Sequence, residues 1–254
     1  MRPSGHRGAA LATALGLALA ATAGCDGSSS TSDDGTGAGG GDLLLSDFED
    51  PAGAVLLRPG NPPTRSAWYA YNDSTVACTQ GPAPMVQQYF GETPPSPAPS
   101  NTAGAKALHG FWEDCSFAGI GADLADPPTP GTLYYTGPRI PYDLSAYKGI
   151  TFWVMATPGT DTNLRARLPM RAETPVSYGG SCSGAGCGDS WGEAFAIDGT
   201  WRQVSIRFDS AGFAQEGSGI VFPWDPRDVI GIQIQSVDAL MPYDFWIDDV
   251  YLID

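Results

Sequence analysis

Two arginines, Arg165 and Arg167, and two glutamines, Gln233 and Gln235, recur at alternate positions in runs whose other residues are apolar. In NLRARLPM, Leu164, Ala166 and Leu168 oppose the arginines. In VIGIQIQS, Ile230, Ile232 and Ile234 oppose Gly231 and the two glutamines. A third run, WRQVSIRF, separates Val204, Ile206 and Phe208 from Gln203, Ser205 and Arg207. Residues two apart share a face of an extended chain, so each run offers one apolar face and one face able to hydrogen-bond. Amides and guanidinium groups bind hydroxyls without any bond-breaking chemistry, and a concave face so composed has the make-up of a sugar-binding cleft. Aromatic rings supply the complementary apolar contact: Trp68, Tyr69, Tyr71, Trp112, Tyr134, Tyr135, Tyr178, Trp191 and Trp224 lie outside the alternating apolar faces. Most rings in a β-rich domain are core, so about a third of these nine are expected to touch a ligand. Parity and proximity to a small cysteine loop select Arg165, Arg167, Asp189, Trp191, Gln233 and Gln235 as candidate ligand contacts.

Catalytic options are narrower. His6 lies in an N-terminal leader, which leaves His109 as the single histidine of the mature chain. A multi-histidine zinc site is thereby excluded, and any Ser-His-Asp or Cys-His device must use His109. That residue sits in the apolar run AKALHGFW, where a structural role or a ligand contact is expected. A carboxylate pair for glycoside cleavage remains open through Glu113, Asp114, Glu173, Asp189, Glu193 and Glu216, because sequence gives no separations.

Cys182 and Cys187 enclose only Ser183, Gly184, Ala185 and Gly186, small residues that let a tight loop close. A disulfide there is expected, and Cys78 then pairs with Cys115. The competing four-cysteine zinc site lacks two short-spaced pairs and suits a reducing compartment.

The elements that must position these residues read as β throughout. Short runs rich in β-branched and aromatic residues recur between Gly and Pro clusters, and helical periodicity is nearly absent. Candidate strands begin at Leu43, Ala67, Ala105, Gly131, Gly149, Asn163, Trp201, Val229 and Asp244. Nine such runs predict an all-β fold, an antiparallel two-sheet β-sandwich. Residues 61–63 and the run GETPPSPAPSNTAG from Gly91 are Pro-rich and are expected to be surface loops.

At the N-terminus, Arg2 and Arg7 precede an apolar run from Ala9 to Ala21 and then small residues up to Gly24 and Cys25, the order of an export signal. The run is too short to span a bilayer. Residues 1–24 are therefore expected to be a signal peptide. The segment TAGC resembles a bacterial lipobox, in which Cys25 becomes a lipidated N-terminus, and lipidation leaves an even four of the five cysteines. Ala21-Thr22-Ala23 also suits ordinary A-x-A cleavage and secretion. Residues 25–42 are dominated by Gly, Ser, Thr and Asp and read as a flexible tether. The remaining 212 residues, 43–254, suit a single β-sandwich domain, expected to be a monomer. Loss of Arg2 and Arg7 takes the 13 basic residues to 11 against 28 acidic ones, a formal charge of −17. Nucleic acid and anionic lipid are poor partners for such a chain, and a neutral or weakly charged ligand is expected.

Four pieces carry a family resemblance: the opening LLLSDFEDP, the central YDLSAYKGITFWVMA, the strand TWRQVSIRFDSAGFAQEG, and the ending PRDVIGIQIQ followed by YDFWIDDVYLI. In this order the chain resembles the galactose-binding-like jelly-roll carbohydrate-binding modules of bacterial polysaccharide-degrading systems, over most of 43–254. The resemblance implies a jelly-roll sandwich that binds a polysaccharide or cell-surface glycan without catalysis; the lipobox-like segment, separately, implies a lipoprotein held in the cell envelope through its N-terminal lipid. The family resemblance also implies a structural calcium between the first and last strands, with Glu49 of DFED and Asp248 and Asp249 of WIDDV as matching residues. The simpler alternative for these acids is that they cap strand ends. The family fixes no single binding face. Two other functions stay open: a glycan-cleaving hydrolase or lyase using a carboxylate pair, and an assembly protein that binds another protein.

Overall fold

A computed structural model describes residues 41–49, 56–58, 64–66, 68–84, 91–99, 106–125, 138–217 and 219–254. The leader, Cys25, nearly all of the tether, residues 61–63 and the expected strand from Gly131 with Tyr134 and Tyr135 lie outside the described residues.

The strands are β1 (Leu43–Ser46), β2 (Leu56–Arg58), β3 (Thr64–Ser66), β4 (Trp68–Asn72), β5 (Thr79–Gly81), β6 (Gly91–Glu92), β7 (Ala107–Glu113), β8 (Ala118–Asp123), β9 (Gly149–Ala156), β10 (Asn163–Leu168), β11 (Trp191–Ala196), β12 (Arg202–Arg207), β13 (Gly231–Ser236) and β14 (Tyr243–Ile253). They form an antiparallel two-sheet sandwich. One sheet runs β12-β9-β14-β7-β5, with β1 pairing β14 and β6 pairing β7; the other runs β11-β10-β13-β8-β4; and β2 and β3 form a separate pair. One apolar cluster between the sheets includes Trp68, Trp112, Phe152, Leu164, Leu168, Ile206, Ile232, Ile234 and Phe245. The all-β, two-sheet expectation is thus met.

Alternation explains why these runs become strands with a defined inner face. Leu164, Ala166 and Leu168 of β10 and Ile232 and Ile234 of β13 enter the core, so Arg165, Arg167, Gln233 and Gln235 project outward from the five-stranded sheet. β12 alternates in the same way, with Val204 and Ile206 buried. It belongs to the other sheet, however, so its polar face looks out from the opposite side of the sandwich. The three polar faces read from sequence are therefore two and one, not a single surface.

β14 shows what a bulge does to such parity. Tyr243, Phe245 and Ile247 are core residues, as are Val250 and Leu252, so the inward set changes from odd to even numbers. The change falls where the β14–β9 register shifts between Asp248 and Tyr251, and Asp249 takes φ 47°. One extra residue here puts both Asp248 and Asp249 out of solvent contact, at 5% and 2% exposure.

Both expected disulfides are present, Cys78–Cys115 and Cys182–Cys187. Among the described residues of the Pro-rich run from Gly91, the two-residue β6 at a sheet margin is followed by 93–99 outside regular strands.

Candidate functional site: the outer face of the five-stranded sheet

Register builds the site in two rows. Arg165 lies opposite Gln235, Gln235 opposite Gly119, and Gly119 opposite Tyr71; the adjacent row reads Arg167, Gln233, Gly121, Tyr69. The glycines of β8 are necessary to this arrangement. A Cβ at Gly119 would stand 2.5 Å from the Tyr71 hydroxyl, and one at Gly121 would stand 2.8 Å from that of Tyr69. The two tyrosine side chains therefore lie across β8 and reach the glutamines of β13. Tyr71 Oη contacts Gln235 Oε1 at 3.1 Å and Gln233 Oε1 at 3.3 Å, while Gln233 Nε2 donates to Tyr69 Oη at 3.0 Å. Burial raises the Tyr71 pKa, against the nearby positive charge of Arg167, so its hydroxyl keeps its proton as a neutral donor.

Arg167 joins this network to the loop before β11. Its Nη1 donates to Gln235 Oε1 at 2.6 Å and its Nη2 to the Gly188 carbonyl. Gly188, at φ 90°, follows the ring closed by Cys182 and Cys187. The ring is itself anchored to the turn bearing Tyr178, since Val176 N–H donates to the Cys182 carbonyl at 3.0 Å. At the other end Arg139 covers the Tyr69 ring, 5.8 Å from its centroid, and pairs with Asp123 at 3.6 Å.

Above the rows is a cavity of about 440 Å³, within the usual range of small-molecule sites. Its walls carry the rings of Tyr71, Phe117 and Tyr178, and among its polar groups are Arg139, Arg167 and Gln233. Gln235, Ser190, Thr174 and Glu216 also face it. Tyr178 is 49% exposed and Phe117 43%, so both rings present surface at the cavity.

Of the six candidate contacts, Arg167, Gln233 and Gln235 line this cavity. Arg165 is 9% exposed; its Nη2 is committed to the carbonyls of Gly192 and Ala214 and its Nε lies 3.5 Å from Glu216. Asp189 is buried at 4%, where its Oδ1 accepts from the Glu216 N–H at 2.8 Å and shapes the loop. Trp191 stands opposite Leu168 in the β10–β11 pairing, which puts it on the core side of the sheet. There its ring packs near Phe213 and Trp224, and its Nε1 donates to the Phe222 carbonyl at 2.9 Å. Trp191 is a packing residue at the core margin, removed from the face that carries the arginines and glutamines.

Sequence reasoning passed over Arg139, Phe117 and Ser190. Arg139 and Ser190 lie outside regular strands and Phe117 just before β8, so no alternating pattern marks them. The Tyr69/Tyr71 face was readable from WYAYN by the same parity as the arginines. Gly119→Val is expected to push Tyr71 off β8 and weaken any ligand of this cavity while the opposite sheet stays ordered. Loss of Tyr71 amide and ring shifts from their wild-type positions in an NMR spectrum, with Ile150 and Val204 unmoved, is the readout.

Elsewhere, His109 lies on the seven-stranded sheet between Glu92 Oε2 at 3.2 Å and Asp244 Oδ1 at 3.0 Å, stacked on Trp246 at 4.1 Å. It is a fixed structural group. At the bulge, Glu49 Oε1 accepts from the Lys106 N–H at 2.6 Å, and the Asp249 N–H donates to Asp248 Oδ1 at 2.8 Å. Burial, with Asp249, Glu49 and Asp47 nearby, pushes Asp248 up to about 8. No group of three or more His, Cys, Asp or Glu among the described residues is arranged to hold a metal ion as it stands.

No protein-family model matches the chain, and no curated protein matches it. Solved structures do. The family 30 carbohydrate-binding module is similar at 11% identity and TM-score 0.48, over 84% of this chain and 87% of that one. The family 11 carbohydrate-binding module of the cellulosomal cellulase Lic26A-Cel5E of Clostridium thermocellum is similar at 15% identity and TM-score 0.46, over 85% of this chain and 95% of that one. A Clostridium thermocellum family 11 module in complex with a β-1,3-1,4-mixed-linked tetrasaccharide is similar at 15% identity and TM-score 0.43, over 85% and 96%.

Proposed function

We propose that this chain is a non-catalytic polysaccharide-binding protein whose ligand lies in the cavity on the outer face of the five-stranded sheet. One observation carries the reading: the exposed rings of Tyr178 and Phe117 share a 440 Å³ cavity with a fixed layer of amide, guanidinium and hydroxyl groups. Sugar rings present C–H faces to aromatic side chains and hydroxyls to such polar groups, and here the polar groups are held in place by one another before any ligand arrives. The carboxylates give little support to bond cleavage. Glu173 has no solvent exposure, and Glu216 stands beside Arg165. A glycan array followed by a reducing-end assay on each polysaccharide that binds tests the reading. Binding without release of reducing ends is the expected result; new reducing ends would make the chain an enzyme.

The anchored location belongs to the same proposal. The leader and Cys25 support a lipoprotein of the bacterial cell envelope, with secretion after A-x-A cleavage as the alternative.

A structural calcium at Glu49, Asp248 and Asp249 is proposed as well. Its support is the burial of two adjacent aspartates at a bulge with Asp47 and Glu49 close enough to raise the Asp248 pKa, an excess of negative charge that a hard, oxygen-seeking cation would relieve. Calcium in hundredfold excess over its dissociation constant is expected to add about 3 kcal/mol, seen as a melting temperature several degrees higher. Asp249→Ala should remove that rise, and a melting curve indifferent to both calcium and chelator would remove the site.

A further inference from the structure

Resting on the reading of the cavity as a glycan site, we propose that its ligand is a carboxylate-bearing sugar: Arg167 holds the carboxylate, and Glu173, buried behind the wall, competes with it for the guanidinium.

The arginines at and beside the wall are unequally partnered. Arg139 has Asp123 at 3.6 Å and Arg165 has Glu216 at 3.5 Å. Arg167 lines the cavity too, yet its hydrogen bonds go to Gln235 Oε1, the Gly188 carbonyl and the Tyr71 hydroxyl, all of them neutral. These bonds fix the guanidinium plane without cancelling its charge. A planar, oriented guanidinium is the side chain best suited to grip a carboxylate.

Glu173 lies directly behind this wall: its main-chain carbonyl accepts from the N–H of Gly188 at 2.8 Å, the residue whose own carbonyl Arg167 holds. It is 0% exposed, takes the Met170 N–H at 3.1 Å and a hydrogen bond from Ser190, a wall residue, and leaves its Oε2 with no hydrogen-bond partner. A buried carboxylate with a bare oxygen is costly in its charged form. Burial raises it to about 7, with Arg167 opposing the rise and Asp189 adding to it. Below that pH Glu173 is neutral and Arg167 has no ion-pair partner among the described residues, while a sugar carboxylate of ordinary pKa, about 4, is still ionised. Above it, ionised Glu173 supplies the counter-charge and repels the ligand. The remaining charged groups around the pair are Arg139, Arg165, Asp189, Glu193 and Glu216, and Tyr71 on β4 holds its proton. The net charge of −15 opposes an acidic ligand at long range, but at 0.15 M salt it is screened beyond about 8 Å, whereas the Arg167 contact is local.

The test is calorimetric titration of the full chain at 0.15 M salt, at pH 5.5 and pH 8.5. The probes are galacturonate, glucuronate and mannuronate oligosaccharides, each beside the same oligosaccharide with its carboxyl groups reduced to alcohols, and circular dichroism confirms the fold of every variant. At least one acidic probe is expected to bind roughly tenfold more tightly at pH 5.5 than at pH 8.5, the effect of about one pKa unit of coupling, while its reduced partner is insensitive to pH. Glu173→Gln should give the tighter affinity at both pH values. Arg167→Gln should erase the preference for acid over alcohol. The proposal is overturned if each reduced probe binds as tightly as its acid at pH 5.5, if acid binding ignores pH, or if Glu173→Gln keeps the wild-type pH profile. Binding of reduced probes or other neutral glycans alone overturns this proposal and leaves the glycan-binding reading standing; binding of no glycan at all overturns both.

Discussion

Cys115→Ser is expected to lower the unfolding free energy by about 4 kcal/mol, the loop-closure value for a ring closed by residues 37 apart, whereas Cys187→Ser, which opens a separation of 5, is expected to cost about 2 kcal/mol. The first bond ties the margin of the seven-stranded sheet at β5 to the connection between β7 and β8, and therefore links the two sheets through one turn. The second shapes the loop that presents Tyr178 and the Gly188 carbonyl. Urea unfolding of the two variants under identical oxidising buffer should preserve that order. An equal loss for both, or a larger loss for Cys187→Ser, would contradict the assignment of the long ring as the structural staple.

Glu173 gives the second large effect. Its folded pKa of about 7 lies above the reference 4.5, so the native state holds a proton that the unfolded state releases between those values. Its contribution to stability consequently falls as pH rises from about 4.5 to about 7, by on the order of 3 kcal/mol in all, and is constant on either side. Glu173→Gln keeps an acceptor for the Met170 N–H and abolishes the titration. The difference between variant and wild type isolates this group from Asp248 and other acids: near zero or unfavourable to the variant at pH 4, and favourable to it by a few kcal/mol at pH 8. A wild type that outlasts Glu173→Gln in urea at pH 8 would show the carboxylate to be better solvated than its burial implies.

How far the sequence discloses this molecule depends on whether side-chain alternation survives in it. β10, β12 and β13 alternate strictly, and their inner and outer faces follow directly from parity. β8, at the heart of the site, is AGIGAD, whose outward positions are glycines at 119 and 121 and only at its end Asp123; with so little polar contrast to the core, the run does not read as a strand. The same glycines make room for Tyr69 and Tyr71. β11 misled in another way. Trp191, Glu193 and Phe195 share the inward face there, because Glu193 reaches the margin and accepts from the Ser210 hydroxyl at 2.5 Å. Trp191 is expected among ligand contacts from its proximity to the small cysteine loop, but the pairing of β11 with β10 turns its ring to the core side. The carboxylates of Asp248 and Asp249 were visible as an anomaly within an apolar run, but the bulge that buries both depends on β14 passing from one partner to another, a tertiary event.

The central claim is that ligand occupies the cavity outside the five-stranded sheet, and affinity for a polysaccharide identified on the array tests it most directly. Titrations would compare wild type with Tyr178→Ala, Arg167→Ala and, on the opposite sheet, Gln203→Ala. Tyr178→Ala and Arg167→Ala are each expected to cost about 1 to 3 kcal/mol of binding, as for ring and guanidinium anchors at other interfaces, with Gln203→Ala unchanged. Full affinity in the first two variants together with a loss in Gln203→Ala would place the ligand on the other face of the sandwich and contradict the account.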